Sequence, residues 1–163
     1  NKNNFFILIN NQQSELIETI SSRCLKNNIY INLEQHKKII NYFLENNEVK
    51  ILTNNYNDLT PGLLLEYNKL FNKYKIEIND NIIINLSKLL YAYKKDKNKV
   101  LINASIYLVN QFFYKQVINN YNEIHFLLKL KLIIINKIND FIVYNLNINS
   151  VLNSIEFKLK NVR

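Results

Sequence analysis

The chain has 163 residues and a net charge of +8, with a single glycine, a single proline and a single cysteine. One glycine excludes the phosphate loop GxxxxGK[ST], which needs two, and the dinucleotide fingerprint GxGxxG, which needs three. Scarce glycine and proline also disfavour a β-sandwich or barrel, which needs frequent turns. One cysteine excludes an internal disulfide and cysteine-rich zinc sites, and it fits a reducing, cytoplasmic setting.

The balance of apolar and charged residues is typical of a globular chain, at 48% hydrophobic and 21% charged. The longest apolar candidate, Ile124 to Ile135, is interrupted by His125, Lys129 and Lys131. We therefore predict no membrane span and no signal peptide. Because the chain begins at Asn1 and has no methionine, we expect a fragment or a processed chain.

The basic charge has two interpretations, since 21 lysines and arginines stand against 13 acidic residues. It could serve a nucleic-acid or acidic partner. It could equally reflect an AT-biased coding sequence, because Asn, Ile, Lys and Tyr are abundant together, with the lysines on solvated faces. The run from Lys94 to Lys99 carries the same two interpretations, and as a nucleic-acid patch it lacks interleaved aromatic residues.

The chain opens with an apolar, aromatic and β-branched run from Phe5 to Asn10, which predicts a buried strand. Because one strand cannot satisfy its own backbone groups, we expect its partner strands upstream. A short helix is predicted at 14–20, and an extended stretch at 25–33.

Residues 32–76 are predicted to form a three-helix module. Asn32 is a candidate N-cap for a helix over 33–45, and a second helix is predicted over 48–56. Thr60 is a candidate N-cap for the third helix, with Pro61 at its first position, where the missing N–H costs nothing.

Residues 77–163 are predicted to form longer helices. Apolar residues at helical spacing predict helices over 81–93, 100–117, 121–146 and 149–159, with the third in a central position. The fold class is therefore mainly α, with one strand followed by a helical bundle of four or five helices.

Several titratable residues are predicted to have structural or surface positions and no catalytic or metal-binding role. His36 is predicted on the surface and His125 in the core, and neither has the spacing of a metal ligand. Cys24 is predicted to be a small buried residue rather than a nucleophile. Glu15 and Glu18 are predicted to lie on one solvated helix face.

Arg23 is more informative, because Arg163 is the only other arginine in a chain that otherwise uses lysine. A guanidinium is always charged and grips phosphate with two hydrogen bonds, which an ammonium cannot do. A phosphate contact, a structural ion pair and chance all remain open on composition.

The order of elements around Arg23 resembles the clamp-loader branch of the AAA+ ATPases. In that family a strand ends at a polar sensor, here Asn10, and a short helix with a Thr-Ile pair leads to a Ser-Arg-Cys motif, here Ser22-Arg23-Cys24. Thr60-Pro61-Gly62 resembles the Ser-Pro-Gly that opens the third lid helix of a non-hydrolysing subunit. Subunits that hydrolyse ATP typically carry a sensing arginine near the position of Gly62.

The resemblance implies three regions: the end of a RecA-like AAA+ core at 1–31, a three-helix lid at 32–76 and a helical collar at 77–163. It implies that Arg23 is an arginine finger acting on ATP-Mg in a neighbouring subunit, and that this chain binds no cofactor of its own. Asn10 and Gly62 would be sensor-like positions without a sensing arginine.

The implied partners are gamma/tau and delta clamp-loader subunits, the sliding clamp and primed DNA, with no membrane. The chain would then have no active site of its own, although it would belong to a DNA polymerase holoenzyme. Its apolar collar residues would serve a core and a subunit interface: Phe112, Phe113, Leu127, Leu128 and Ile133 to Ile135. The alternatives are a basic helical nucleic-acid-binding protein and a structural adaptor in which Arg23 is incidental.

Overall fold

The structure, a computed structural model, describes residues 6–9, 16–46, 59–78 and 81–160. Two compact units divide the chain, residues 1–32 and residues 33–163. The described residues contain no β-strand, and their helices are α1 Glu18–Ser21, α2 Leu33–Asn46, α3 Pro61–Lys73, α4 Ile82–Asp96, α5 Lys99–Asn119, a 3-10 turn Tyr121–Glu123, α6 Ile124–Val143 and α7 Ile148–Leu159. The mainly helical class is confirmed.

The predicted N-terminal strand is wrong for its described part, residues 6–9. These four residues have no regular secondary structure, and their side chains are 64–89% exposed. The physical reason is that a strand is stabilised by hydrogen bonds to a neighbouring strand, and the described chain offers none. Residues 25–32 are likewise irregular and exposed.

The first helix of the larger unit confirms its sequence prediction. α2 begins directly after Asn32 and buries Ile40 completely, while Ile39, Phe43 and Leu44 on the same face are half-buried. The helix predicted over 48–56 lies outside the described residues.

The start of α3 is confirmed in atomic detail. Thr60 is the N-cap, and the backbone N–H of Leu63 donates to its Oγ1 at 3.3 Å. Pro61 occupies the first turn, where no intrahelical donor is needed. Local residue chemistry therefore determines where this helix begins.

Thr60→Ala is expected to lower the free energy of unfolding by about 1 kcal/mol, because one orphan N–H at the start of α3 loses its acceptor. Urea denaturation followed by circular dichroism measures the change. Thr60→Ser keeps the hydroxyl and should retain most of the stability. Equal losses in both variants would contradict a capping role.

Asparagine opens three of the remaining helices. The side chains of Asn81, Asn98 and Asn147 each accept a backbone N–H from the first turn of α4, α5 and α7, at 2.9–3.0 Å. Asparagine is among the best N-cap residues because its short amide reaches the orphan donors. Part of the asparagine excess is thus used to begin helices.

The helix ends show how a chain with one glycine terminates its helices. Lys75, Lys97 and Asn145 adopt positive φ angles of 50°, 52° and 49°, a conformation that usually favours glycine. At the end of α6 the N–H of Leu146 donates to the carbonyl of Phe141, which is the Schellman pattern. The predicted helix over 121–146 is therefore too long at both ends, since Tyr121–Glu123 is a 3-10 turn.

The core of the larger unit runs from α2 to α7. Its largest fully buried side chains are Phe71, Phe113, Ile40, Leu86, Leu89, Leu90, Leu101, Leu127, Ile134, Ile138, Ile155 and Val109. α3 joins this core through Tyr67 and Phe71, whose rings lie 5.3 and 6.5 Å from that of Tyr107 on α5. The prediction of a central α6 is wrong, because α6 buries one face and leaves Leu128 and Leu132 exposed.

Candidate functional site

Arg23 lies exposed in the turn that follows α1. Its Nη1 donates to the carbonyl oxygen of Thr19 at 3.0 Å, and its backbone N–H donates to Ile20 at 3.1 Å. These two bonds anchor the residue to the last turn of α1. Arg23 makes no ion pair within the described residues.

The chemistry available at Arg23 is that of a planar cation with spare donors. A guanidinium has five N–H donors, and the contact to Thr19 uses one of them. The other donors make no hydrogen bond within the described residues, and the side chain is exposed. Such a group can form two parallel hydrogen bonds to a phosphate oxygen pair.

The other two residues of the Ser-Arg-Cys motif, Ser22 and Cys24, are exposed and do not pack on a hydrophobic core. Ser22 Oγ also donates to the Thr19 carbonyl, at 3.4 Å. Cys24 is exposed, so its predicted burial is wrong. The reason is that α1 buries none of its residues, which leaves no apolar interior to receive a thiol.

The two sensor-like positions have different outcomes. Asn10 lies outside the described residues. Gly62 is exposed in the first turn of α3, and a Cβ built there would meet no atom within 4 Å. Because its φ angle is not positive, the backbone does not require glycine at this position. Space alone would therefore admit a larger residue there.

Both histidines differ from the environments that the sequence predicted. His36 is half-buried, and its Nε2 donates to the carbonyl oxygen of Leu59 at 2.8 Å, while its Nδ1 is buried without a partner among the described residues. His125 is exposed. The signal for His36 was present, because it precedes Ile39 and Ile40 by one helical turn and so shares their inner face.

The sequence did not predict the cleft between α3 and α5. It encloses about 290 Å³ and is lined by apolar, phenol and carboxamide side chains, among them Leu59, Tyr67, Tyr107, Asn110 and Gln111. Burial raises the pKa of Tyr67 above its usual value of 10.0, and the charges of Glu66 and Tyr107 raise it further. The phenol therefore stays protonated at neutral pH and contributes hydrogen bonding rather than base chemistry.

Within the described ranges, no three histidine, cysteine or acidic side chains group closely enough to hold a metal ion. Across those same ranges, no helix combines the length and the apolar character needed to cross a membrane. Comparison of the chain with protein-family models, with curated proteins and with solved structures gives no match.

Proposed function

We propose that this chain is the C-terminal part of a clamp-loader subunit that does not hydrolyse ATP and that resembles the delta-prime subunit of bacterial DNA polymerase III. The observation that carries the proposal is the exposed Arg23 in its Ser-Arg-Cys motif, anchored at the end of a short helix. The mainly helical fold after it, with α3 opened by Thr60 and Pro61, supports the proposal.

The proposed role of Arg23 is electrostatic. In phosphoryl transfer, negative charge spreads over the oxygens of the transferred γ-phosphate, and an arginine supplied by a neighbouring subunit stabilises it. The carbonyl of Thr19 holds one side of the guanidinium, which leaves its other donors available for the phosphate oxygens. ATP-Mg would belong to the neighbour, and this chain would contribute only the cation.

The proposed collar interface is supported by apolar side chains that the larger unit leaves outside its core. Of the residues predicted for a core and an interface, Phe113, Leu127 and Ile134 are buried, whereas Leu128 is 41% exposed. Leu132, one turn further along α6, is 58% exposed. Exposed apolar surface of this kind suits contacts with the proposed gamma/tau and delta subunits. The assembly would place the sliding clamp on primed DNA.

The test is Arg23→Ala in the full-length protein, assembled with its partner subunits. Hydrolysis at the ATP site that receives the finger is expected to fall by about 10³-fold, because its transition-state charge is no longer stabilised. Clamp loading should fall with it, while gel filtration should show an intact complex. Arg23→Lys should be nearly as defective, since lysine lacks the planar fork.

The matched control is Lys26→Ala, which removes a nearby exposed cation from the same irregular segment. It should leave ATP hydrolysis and clamp loading unchanged. Normal DNA-stimulated hydrolysis in the Arg23→Ala complex would overturn the finger role. Loss of assembly in that variant would instead show that Arg23 is structural.

A further inference from the structure

Six exposed lysines lie where the ends of α3, α4 and α5 adjoin, and we call this group the lysine end: Lys73, Lys75, Lys94, Lys95, Lys97 and Lys99. The segments that carry them, residues 73–77 and 94–99, contain two acidic residues, Glu77 and Asp96. Their balance is +4, which is half of the net charge of the chain. Half of the basic excess is thus concentrated in this exposed group.

One side-chain contact joins the two segments, and a second joins Lys75 to the middle of α4. The hydroxyl of Tyr74 donates to Oδ2 of Asp96 at 3.2 Å. The ammonium of Lys88 on α4 donates to the carbonyl oxygen of Lys75, just beyond α3. Because α5 begins at Lys99, directly after the α4 terminus, all three helix ends share one surface.

The charges of the lysine end are not neutralised within the described residues. The salt bridge found among the described residues joins Lys160 and Glu156 at the C-terminal end of α7, and it includes none of these six lysines. Lys73 and Lys97 instead lie 5.1 and 5.6 Å from the ring centroids of Tyr74 and Tyr93. A cation over an aromatic face keeps its full charge. Both rings are sequence neighbours of the lysines, and the helix ends place them beside the ammonium groups.

Helix stabilisation does not account for the whole group. Lysines near the C-termini of α3 and α4 interact favourably with the helix dipole, which explains Lys73, Lys94 and Lys95. Lys99 has the opposite position, because it is the first residue of α5, where the dipole disfavours a cation. Lys97 occupies a left-handed backbone position that lysine rarely takes. The helix dipole therefore does not explain Lys99, and the backbone does not explain the choice of lysine at position 97.

We propose that the lysine end binds the phosphate backbone of duplex DNA without sequence preference. Duplex DNA carries one negative charge per about 1.7 Å of its axis, a density that a cluster of ammonium groups complements. Specific base contacts rely on paired hydrogen bonds to a base edge, which planar guanidinium and carboxamide groups are best shaped to make. The group contains no arginine, and the side-chain oxygen of Asn98 already accepts the N–H of Val100 at 3.0 Å.

The aromatic rings favour duplex over single-stranded DNA. Binding of single strands depends on exposed rings on which bases stack. Tyr93 is 9% exposed, and the Tyr74 ring lies beside Lys73 with its hydroxyl bonded to Asp96. The rings therefore position the ammonium groups rather than offer stacking surfaces. This direct DNA contact is independent of Arg23 and stands or falls separately from the clamp-loader proposal.

The test uses the 163-residue chain and a fluorescently labelled duplex of mixed sequence, titrated at increasing salt. A quadruple variant carries Lys94→Gln, Lys95→Gln, Lys97→Asn and Lys99→Gln, with asparagine chosen because it tolerates a positive φ angle. The slope of log affinity against log salt is expected to become shallower by about 0.9 for each phosphate that the variant no longer neutralises. Affinity at low salt should fall by at least about tenfold.

The control variant removes the same charge elsewhere, with Lys129, Lys131, Lys137 and Lys158 each changed to glutamine. It should retain most of the affinity and slope, and circular dichroism should show both variants folded. Equal losses in the two variants would overturn the proposal, because net charge alone would then explain binding. It would also be overturned by no duplex binding at low salt, by tighter binding of a single strand, or by preferential displacement with polyglutamate, which would indicate an acidic protein partner.

Discussion

Replacing Phe71 with alanine is expected to lower the free energy of unfolding by about 3–5 kcal/mol. The side chain is 1% exposed, and its ring contacts those of Tyr67 and Tyr107 at centroid distances of 6.2 and 6.5 Å. Truncation removes the transfer free energy of the ring and leaves a cavity between α3 and α5. Urea unfolding followed by circular dichroism measures the loss, and a single transition shows that α3 and the bundle unfold together.

Phe157→Ala is the matched control for this prediction. Its ring is 66% exposed on α7, so the change should stay within about 0.5 kcal/mol of the parent chain. If the Phe71→Ala chain loses a small part of its helical circular dichroism signal while the midpoint of the main unfolding transition is unchanged, α3 is not part of the cooperative core. That outcome would contradict the packing of Phe71 against Tyr107.

Asn85→Asp is expected to lower the free energy of unfolding at pH 7 by about 3–5 kcal/mol, because it places an uncompensated charge in the interior. Asn85 is 2% exposed, and its Nδ2 donates to the carbonyl oxygen of Glu77 at 2.6 Å. A carboxylate cannot donate to that carbonyl. The amide oxygen of Asn85 accepts no hydrogen bond within the described residues, so no existing hydrogen bond stabilises the new charge.

The loss should depend on pH with a defined sign. Burial raises the pKa of the introduced carboxyl above its unfolded value of about 3.9. The penalty is therefore absent below about pH 4, grows as the pH rises through the raised value and is complete above it. Unfolding measured at several pH values gives this curve. Asn153→Asp, exposed on α7, is the control and should cost less than about 0.5 kcal/mol.

An equal loss for Asn85→Asp at low and neutral pH would contradict this account. It would mean that Asn85 stabilises the fold through the packing of its amide, and not through the hydrogen bond that it donates to the carbonyl oxygen of Glu77. The protonated acid, by contrast, can donate to the same carbonyl and so should restore much of the contact.

Local signals predicted the starts of the helices well. Thr60 with Pro61 marked the beginning of α3, and the helix predicted from Asn81 begins with that residue as its cap. An N-cap side chain bonds to a backbone N–H two or three residues further along the chain. The few residues around a helix start are therefore enough to predict it. The helix ends were less predictable, because Lys97 and Asn145 take the place that glycine usually marks.

Burial was harder to predict for single residues that do not belong to a run of apolar residues at helical spacing. Cys24 and His125 were expected inside and are exposed, whereas His36 was expected outside and contacts Leu59. Residue type gives only a tendency toward burial. The apolar run at residues 6–9 shows the same limit, because a strand forms only where another strand accepts its hydrogen bonds.

Residue types and their spacing were enough to predict a mainly helical chain, the starts of several helices and the chemical distinctness of Arg23 among the basic residues. The folded structure was needed to show that Phe71 shares a core with Tyr107 and that the end of α3 contacts the end of α4 through Tyr74 and Asp96. The physical reason is the range of the interactions. Caps and helical periodicity act within a few residues, whereas core packing and surface charge density join residues that the chain itself keeps far apart.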